Sequence, residues 1–171
     1  NLTKFANRFQ KNREELTKIN TAIAKTYKIN HFFTECKSVI EKLERLQNQA
    51  RNERLTFPEQ NYENAKEYFE KGEYETAIDI TVREVQEMEY LLRRVEEAIE
   101  LVQTFSAYIQ QTREHILVEQ FVEKEEETER SLEERDVEKT INLANQGIKE
   151  IKESILSGKF GKEILPIYRN S

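Results

Sequence analysis

The sequence predicts an all-α fold, an elongated antiparallel bundle of about five long helices. Three observations carry that expectation. Glycine and proline are scarce, with 4 and 2 in 171 residues, so the chain has few turns. Apolar residues make up 37% and charged residues 35%, a balance that suits long helices with narrow buried stripes better than a compact sphere. Apolar residues recur at spacings of three and four, which places them on one helix face. No stretch alternates like a strand.

The first helix is expected over 2–54. Leu2, Phe5, Phe9, Leu16, Ile19, Ile23 and Tyr27 form one stripe on it. Phe32, Phe33, Cys36, Val39, Ile40, Leu43, Leu46 and Ala50 form another, with a bend expected near Asn30 unless the helix runs through. Both stripes are expected to pack against neighbouring helices of the chain. Leu55-Thr56-Phe57-Pro58-Glu59 breaks the pattern: Thr56 or Phe57 ends the first helix, and Pro58 suits the first turn of the second, over 58–71. Gly72 can take the left-handed conformation that closes that helix.

A third helix is expected over 73–116, with Tyr74, Ala77, Ile78, Val82, Val85, Met88, Leu92, Val95, Ile99, Val102, Phe105 and Ile109 on its apolar face. The chain must reverse somewhere in 110–122, where Gln110-Gln111-Thr112 and Glu119-Gln120 are weak signals. A fourth helix is expected over 119–134. Asp136 is a suitable N-cap for a fifth, over 136–157. Gly158, Gly161 and Pro166 then read as a helix stop and an irregular tail, 158–171.

An internal repeat is the most informative feature. With Gly72 aligned to Arg135, an offset of 63, Phe69 meets Leu132, Glu73 meets Asp136, Tyr74 meets Val137, Ile78 meets Ile141, Val85 meets Ile148 and Met88 meets Ile151. Upstream, Val39 meets Val102, Leu46 meets Ile109 and Leu55 meets Val118. A period this long implies a supersecondary unit stacked on itself, with about two and a half copies in 1–157. The segment Ala65-Lys-Glu-Tyr-Phe-Glu-Lys-Gly-Glu-Tyr-Glu-Thr-Ala77-Ile resembles the inter-helix corner of a tetratricopeptide repeat. That likeness implies that Gly72 makes the turn, Tyr74 packs back and Ala77 lets the helices approach. The period departs from that family's shorter one, so its peptide groove does not carry over. The whole pattern resembles archaeal helical-hairpin arrays and is similar to the spectrin-like repeats of bacterial septation-ring regulators. Those likenesses imply structural or adaptor roles and no chemistry.

Composition narrows the function classes further. A net charge of −6 repels phosphate backbones and argues against nucleic acid as a partner. No apolar run is long enough for a transmembrane helix, and no signal peptide is visible. The start at Asn1 without a methionine suits a piece of a longer protein, and a cytoplasmic setting is expected. Cys36 is the only cysteine, so the chain can form no internal disulfide.

Side chains that could carry chemistry are few. His31 and His115 are the only histidines, far apart and without ligand spacing. Cys36 lies on an apolar face, which suits a small buried hydrophobe better than a nucleophile. Glu123–Arg130 is dense in acid and reads as a solvated face with i, i+4 pairs such as Glu126–Arg130. Gly158-Lys159-Phe160-Gly161-Lys162 lacks the strand that a phosphate loop requires. No catalytic, cofactor-binding or metal-binding residue is therefore expected, and no enzymatic activity. The expected role is a protein–protein interaction or spacer module with an unidentified protein partner, self-association included. Candidate anchors are the terminal stripes, the C-terminal one formed by Phe160, Ile164, Leu165, Ile167 and Tyr168. A membrane-surface role for the mildly basic stretch Asn1–Lys28 is the second reading, and a metal-binding bundle the third.

Overall fold

The computed structural model describes residues 1–113 and 119–157, and in them the chain is a helical bundle of five helices without a strand. These are α1 (Leu2–Asn52), α2 (Gln60–Glu70), α3 (Tyr74–Thr112), α4 (Glu119–Glu133) and α5 (Val137–Leu156). The helices match the expected spans, each ending short by one to four residues. Of the two alternatives at Asn30, the helix runs through, so α1 is unbroken. One local expectation changes. Pro58 precedes α2, whose N-cap is Glu59, instead of standing in its first turn. His115, Val118, Gly158–Lys162 and the C-terminal stripe lie outside the described residues.

Three helices close through the same corner. The N–H of Gly72 donates to Phe69 O at 3.0 Å and that of Glu73 to Tyr68 O at 2.9 Å. Arg135 donates to Leu132 O and Asp136 to Ser131 O, both at 3.0 Å. Arg54 donates to Arg51 O and Leu55 to Ala50 O, both at 2.9 Å. In each, the residue after the cap is left-handed, with φ 77° at Gly72, 58° at Arg54 and 59° at Arg135. This pairing satisfies carbonyls that a helix end otherwise strands. Asp136 then caps α5, its side chain accepting from Lys139 N.

The chain divides into two compact units, Asn1–Met88 and Glu89–Ser171. In the first, the second half of α1 packs against α2 and the start of α3. Cys36, Ile40, Ala65 and Ala77 form its core cluster, flanked by Tyr62, Tyr68, Phe69, Tyr74 and Ile78. Ala65 and Ala77 are fully buried, and the missing side-chain bulk lets the three helices approach. Tyr74 turns back from its corner onto Phe69 and Phe33, with ring centroids 5.6 and 5.7 Å away. Glu84 is buried, and its carboxylate accepts from Asn61 Nδ2 at 2.7 Å. Gln47 is buried too, but its Nε2 has no hydrogen-bond partner among the described residues.

In the second unit, Phe105 and Ile109 of α3 pack with Phe121 of α4 and Ile148, Ile151 and Ile155 of α5. Helix α4 completes its inward face with Thr128 and Ser131. Buried threonines stay satisfied inside their own helices: Thr128 donates to Lys124 O at 2.6 Å, Thr140 to Asp136 O at 2.8 Å and Thr112 to Tyr108 O at 2.8 Å. Gly147 lies against the Phe105 ring, and a Cβ there would overlap it.

Burial recurs along the chain with a fixed offset, though not one offset throughout. At 63, the buried residues of α3 meet those of α5: Ala77 and Thr140, Thr81 and Ala144, Glu84 and Gly147, Val85 and Ile148, Met88 and Ile151. Ala65 of α2 meets Thr128 of α4 in the same way. Between α1 and α3, however, the buried positions align at 62. Cys36 meets Ala98, Ile40 meets Val102, Leu43 meets Phe105, Gln47 meets Ile109 and Ala50 meets Thr112. The upstream pairing expected from sequence, Val39 with Val102 and Leu46 with Ile109, is thus off by one residue. A connection between helices can absorb one residue; a helix cannot, because the change turns every following side chain by about 100°.

Two substitutions test these cores. Gln47 occupies the place that Ile109 fills in the second unit, so Gln47→Ile should raise stability by about 1 kcal/mol by removing an unsatisfied buried donor. Urea denaturation reads this as a higher midpoint at unchanged slope. Gly147→Ala should lower stability by about 1–3 kcal/mol through overlap with Phe105, despite the better helix propensity of alanine. A stabilised Gly147→Ala variant would contradict that close approach.

Candidate interaction surface

Among the described residues, no three His, Cys, Asp or Glu side chains converge as metal ligands would. No described helix is long and apolar enough to cross a membrane. His31 sits exposed on α1 with its Nε2 3.7 Å from Glu35. Cys36 is fully buried, and burial, with Glu35 second, pushes its thiol above the usual range. It therefore stays protonated, as a core residue does, while Lys37 points outward. The acidic run on α4 supplies ion pairs across to α5: Lys124 with Glu150 at 3.0 Å and Glu127 with Lys139 at 3.4 Å.

The first half of α1 is the surface that stands out, and it corrects the expectation that its stripe is covered by the next helix. Residues 1–31 are exposed without exception. The apolar stripe is therefore bare, from 54% exposure at Ile19 to 87% at Leu2, with Phe5, Phe9, Leu16, Ile23 and Tyr27 between. Coverage begins only at Phe32 and Cys36. A continuous row of this kind is unlike the scattered apolar residues that any surface carries. Ile29 and Phe33 extend this exposure along α1, and beyond that helix the described exposed large apolar residues are isolated: Val82, Tyr90 and Leu156.

The row follows a heptad. Leu2, Phe9, Leu16 and Ile23 stand seven apart, and Phe5, Asn12, Ile19 and Thr26 interleave with them. Arg8 and Arg13 flank this seam, one on each side, and Glu15 is the single acid beside it. Lys4, Lys11, Lys18 and Lys25 form a second seven-residue row behind it. Residues 1–30 hold seven basic and two acidic side chains, a net charge of +5, whereas the whole chain carries −6. Residues 31–171 thus carry −11. The sequence shows the stripe but not the missing cover, since a covered and a bare stripe have the same spacing.

Charge also secures the bundle. Arg94 on α3 grips Glu138 on α5 with both Nε and a terminal nitrogen, at 2.9 and 2.7 Å, and pairs with Glu97 through the other nitrogen. The hydrogen bonds from Arg94 hold the Glu138 carboxyl below the ordinary glutamate range. The chain matches no family model, and comparison with curated proteins and with solved structures finds no match.

The grip on Glu138 has a pH signature. A carboxyl with a depressed folded pKa stabilises the fold at neutral pH, and that contribution disappears as pH falls through the folded value. Glu138→Gln should therefore melt below the parent at pH 7, and the gap should narrow as pH falls below the ordinary glutamate range. An unchanging difference between pH 7 and pH 3 would contradict the pairing.

Proposed function

We propose that the chain is a non-enzymatic protein–protein interaction or scaffold module, built from repeated spectrin-like helical units, that docks through the first half of α1. The bare apolar row over residues 2–27 is the observation that supports it most. Removing apolar area from water is worth about 25 cal/mol per Å². Aromatic anchors such as Phe5, Phe9 and Tyr27 are the side chains from which interfaces draw most of their affinity. The matched corners at Gly72 and Arg135, with matched burial in the helices that follow, support the reading of a repeated unit. Such units favour long surfaces over enclosed pockets.

The basic rows on the same arm favour one second reading, association with an anionic membrane surface. The two readings part on what lies against the stripe. A photo-cross-linker placed at Ile19 in living cells should form adducts with protein, and one at exposed Glu129 on α4 should not. Phe9→Asp with Ile23→Asp should abolish the Ile19 adducts. The same pair should change folding stability by no more than about 0.5 kcal/mol, since both residues are exposed. Lipid adducts alone, or none, would contradict the protein-docking reading.

A further inference from the structure

The offset that relates α1 to α3 continues into the bare arm. At 62, Leu16 falls on Ile78, Ile19 on Thr81, Ile23 on Val85 and Thr26 on Met88. Thr81, Val85 and Met88 are buried, and Ile78 is partly so. In unit 1 that face of α3 is closed by two helices, the second half of α1 and α2, joined through the left-handed corner at Arg54. Helix α3 therefore performs two tasks in series. Residues 74–88 close the first unit, and residues 95–112 build the core of the second. Helix α1 repeats the second task at 36–50 and carries the pattern for the first task at 16–26, with nothing in the described chain laid over it. Glu15 stands where α3 has Ala77, so a cover stands further off at that turn.

Resting on the docking reading above, we propose that the arm is the closing helix of a three-helix unit, and that its partner is a helical hairpin with acidic flanks. Charge selects the flanks. The arm carries +5, and Arg8 and Arg13 border its seam. Pairing two arms in parallel would set Arg8 of one copy beside Arg13 of the other, a like-charge contact that heptad pairs avoid. An acidic hairpin would face both arginines with carboxylates. The seam itself selects a helix over a lipid surface. Its spacing averages 3.5 residues, so on a straight helix the row drifts by about 20° per heptad, which a supercoiled partner follows. Asn12 lies in the seam, flanked by Phe5, Phe9, Leu16 and Ile19. A polar residue there fixes register between helices, whereas in an acyl layer it only costs burial energy.

The test uses the full chain and two synthetic helix-hairpin peptides with identical leucine seams, one with glutamate flanks and one with lysine flanks. Fluorescence anisotropy should show the glutamate hairpin binding roughly tenfold or more tightly than the lysine hairpin at low salt, with the preference shrinking as salt rises. Ile19→Asp with Ile23→Asp should remove binding of both, and Arg8→Glu with Arg13→Glu should reverse the preference. Circular dichroism of each variant reads whether its helices persist. Equal affinity for the two hairpins, binding to neither, or a lysine preference overturns the proposal. So does arm-dependent binding to phosphatidylserine vesicles without hairpin binding, or arm-dependent dimerisation of the chain in sedimentation. Protein adducts at Ile19 combined with no hairpin preference would sink this inference alone and leave the docking reading standing.

Discussion

An apolar stripe on a helix has to be covered, and that requirement organises this chain. Where residues 36–50 of α1 face α2 and the start of α3, a core forms around Cys36, Ile40 and Ala65. Where residues 101–109 of α3 face α4 and α5, a larger one forms around Phe105. Small residues make both possible: Ala65 and Ala77 in the first, Gly147 under the Phe105 ring in the second. The corners at Arg54, Gly72 and Arg135 then bring each following helix back at the point where its stripe can meet its partner. Along residues 2–27 no described residue meets the same requirement, and the stripe stays exposed.

Much of this was legible in the sequence, for reasons that can be named. Gly72 and Asp136 carry corner and cap chemistry in the residue itself. Five helices followed from apolar spacing and the scarcity of turn residues. Arg135 is marked only by its alignment with Gly72, and Arg54 by nothing, because arginine does not advertise a left-handed backbone. The upstream register slipped by one because a connecting segment absorbs a residue that no helix can. Thr81, Thr112, Thr128, Ser131 and Thr140 are core residues that a search for apolar spacing passes over. Their hydroxyls are small, and the threonines bond within their own helices. That is also why α4 looks so polar, with Phe121, Val122 and Leu132 as its only strongly apolar residues. The N-terminal stripe has the spacing of a packing face; spacing alone does not show that no described residue lies over it.

Charge divides along the same line. The arm is basic and everything after it is acidic, so the bare apolar row lies on the segment whose sign opposes the rest. Within unit 2, opposite charges bind helix to helix, as Arg94 does with Glu138 and Lys124 with Glu150. On the arm, Arg8 and Arg13 sit beside the seam, and both are exposed. Most of a helix's stability in a protein comes from packing of its apolar face. The arm is therefore expected to gain order when it is covered, which links recognition to folding.

The central claim is that α1 is half supported and half bare. Amide hydrogen exchange read by mass spectrometry on the isolated chain addresses it directly. The account predicts fast exchange over residues 2–27 and slow exchange over 36–50, within one continuous helix, because protection follows burial and packing. Uniformly slow exchange across both halves in a monomeric chain would mean that the arm is already covered, and would contradict it.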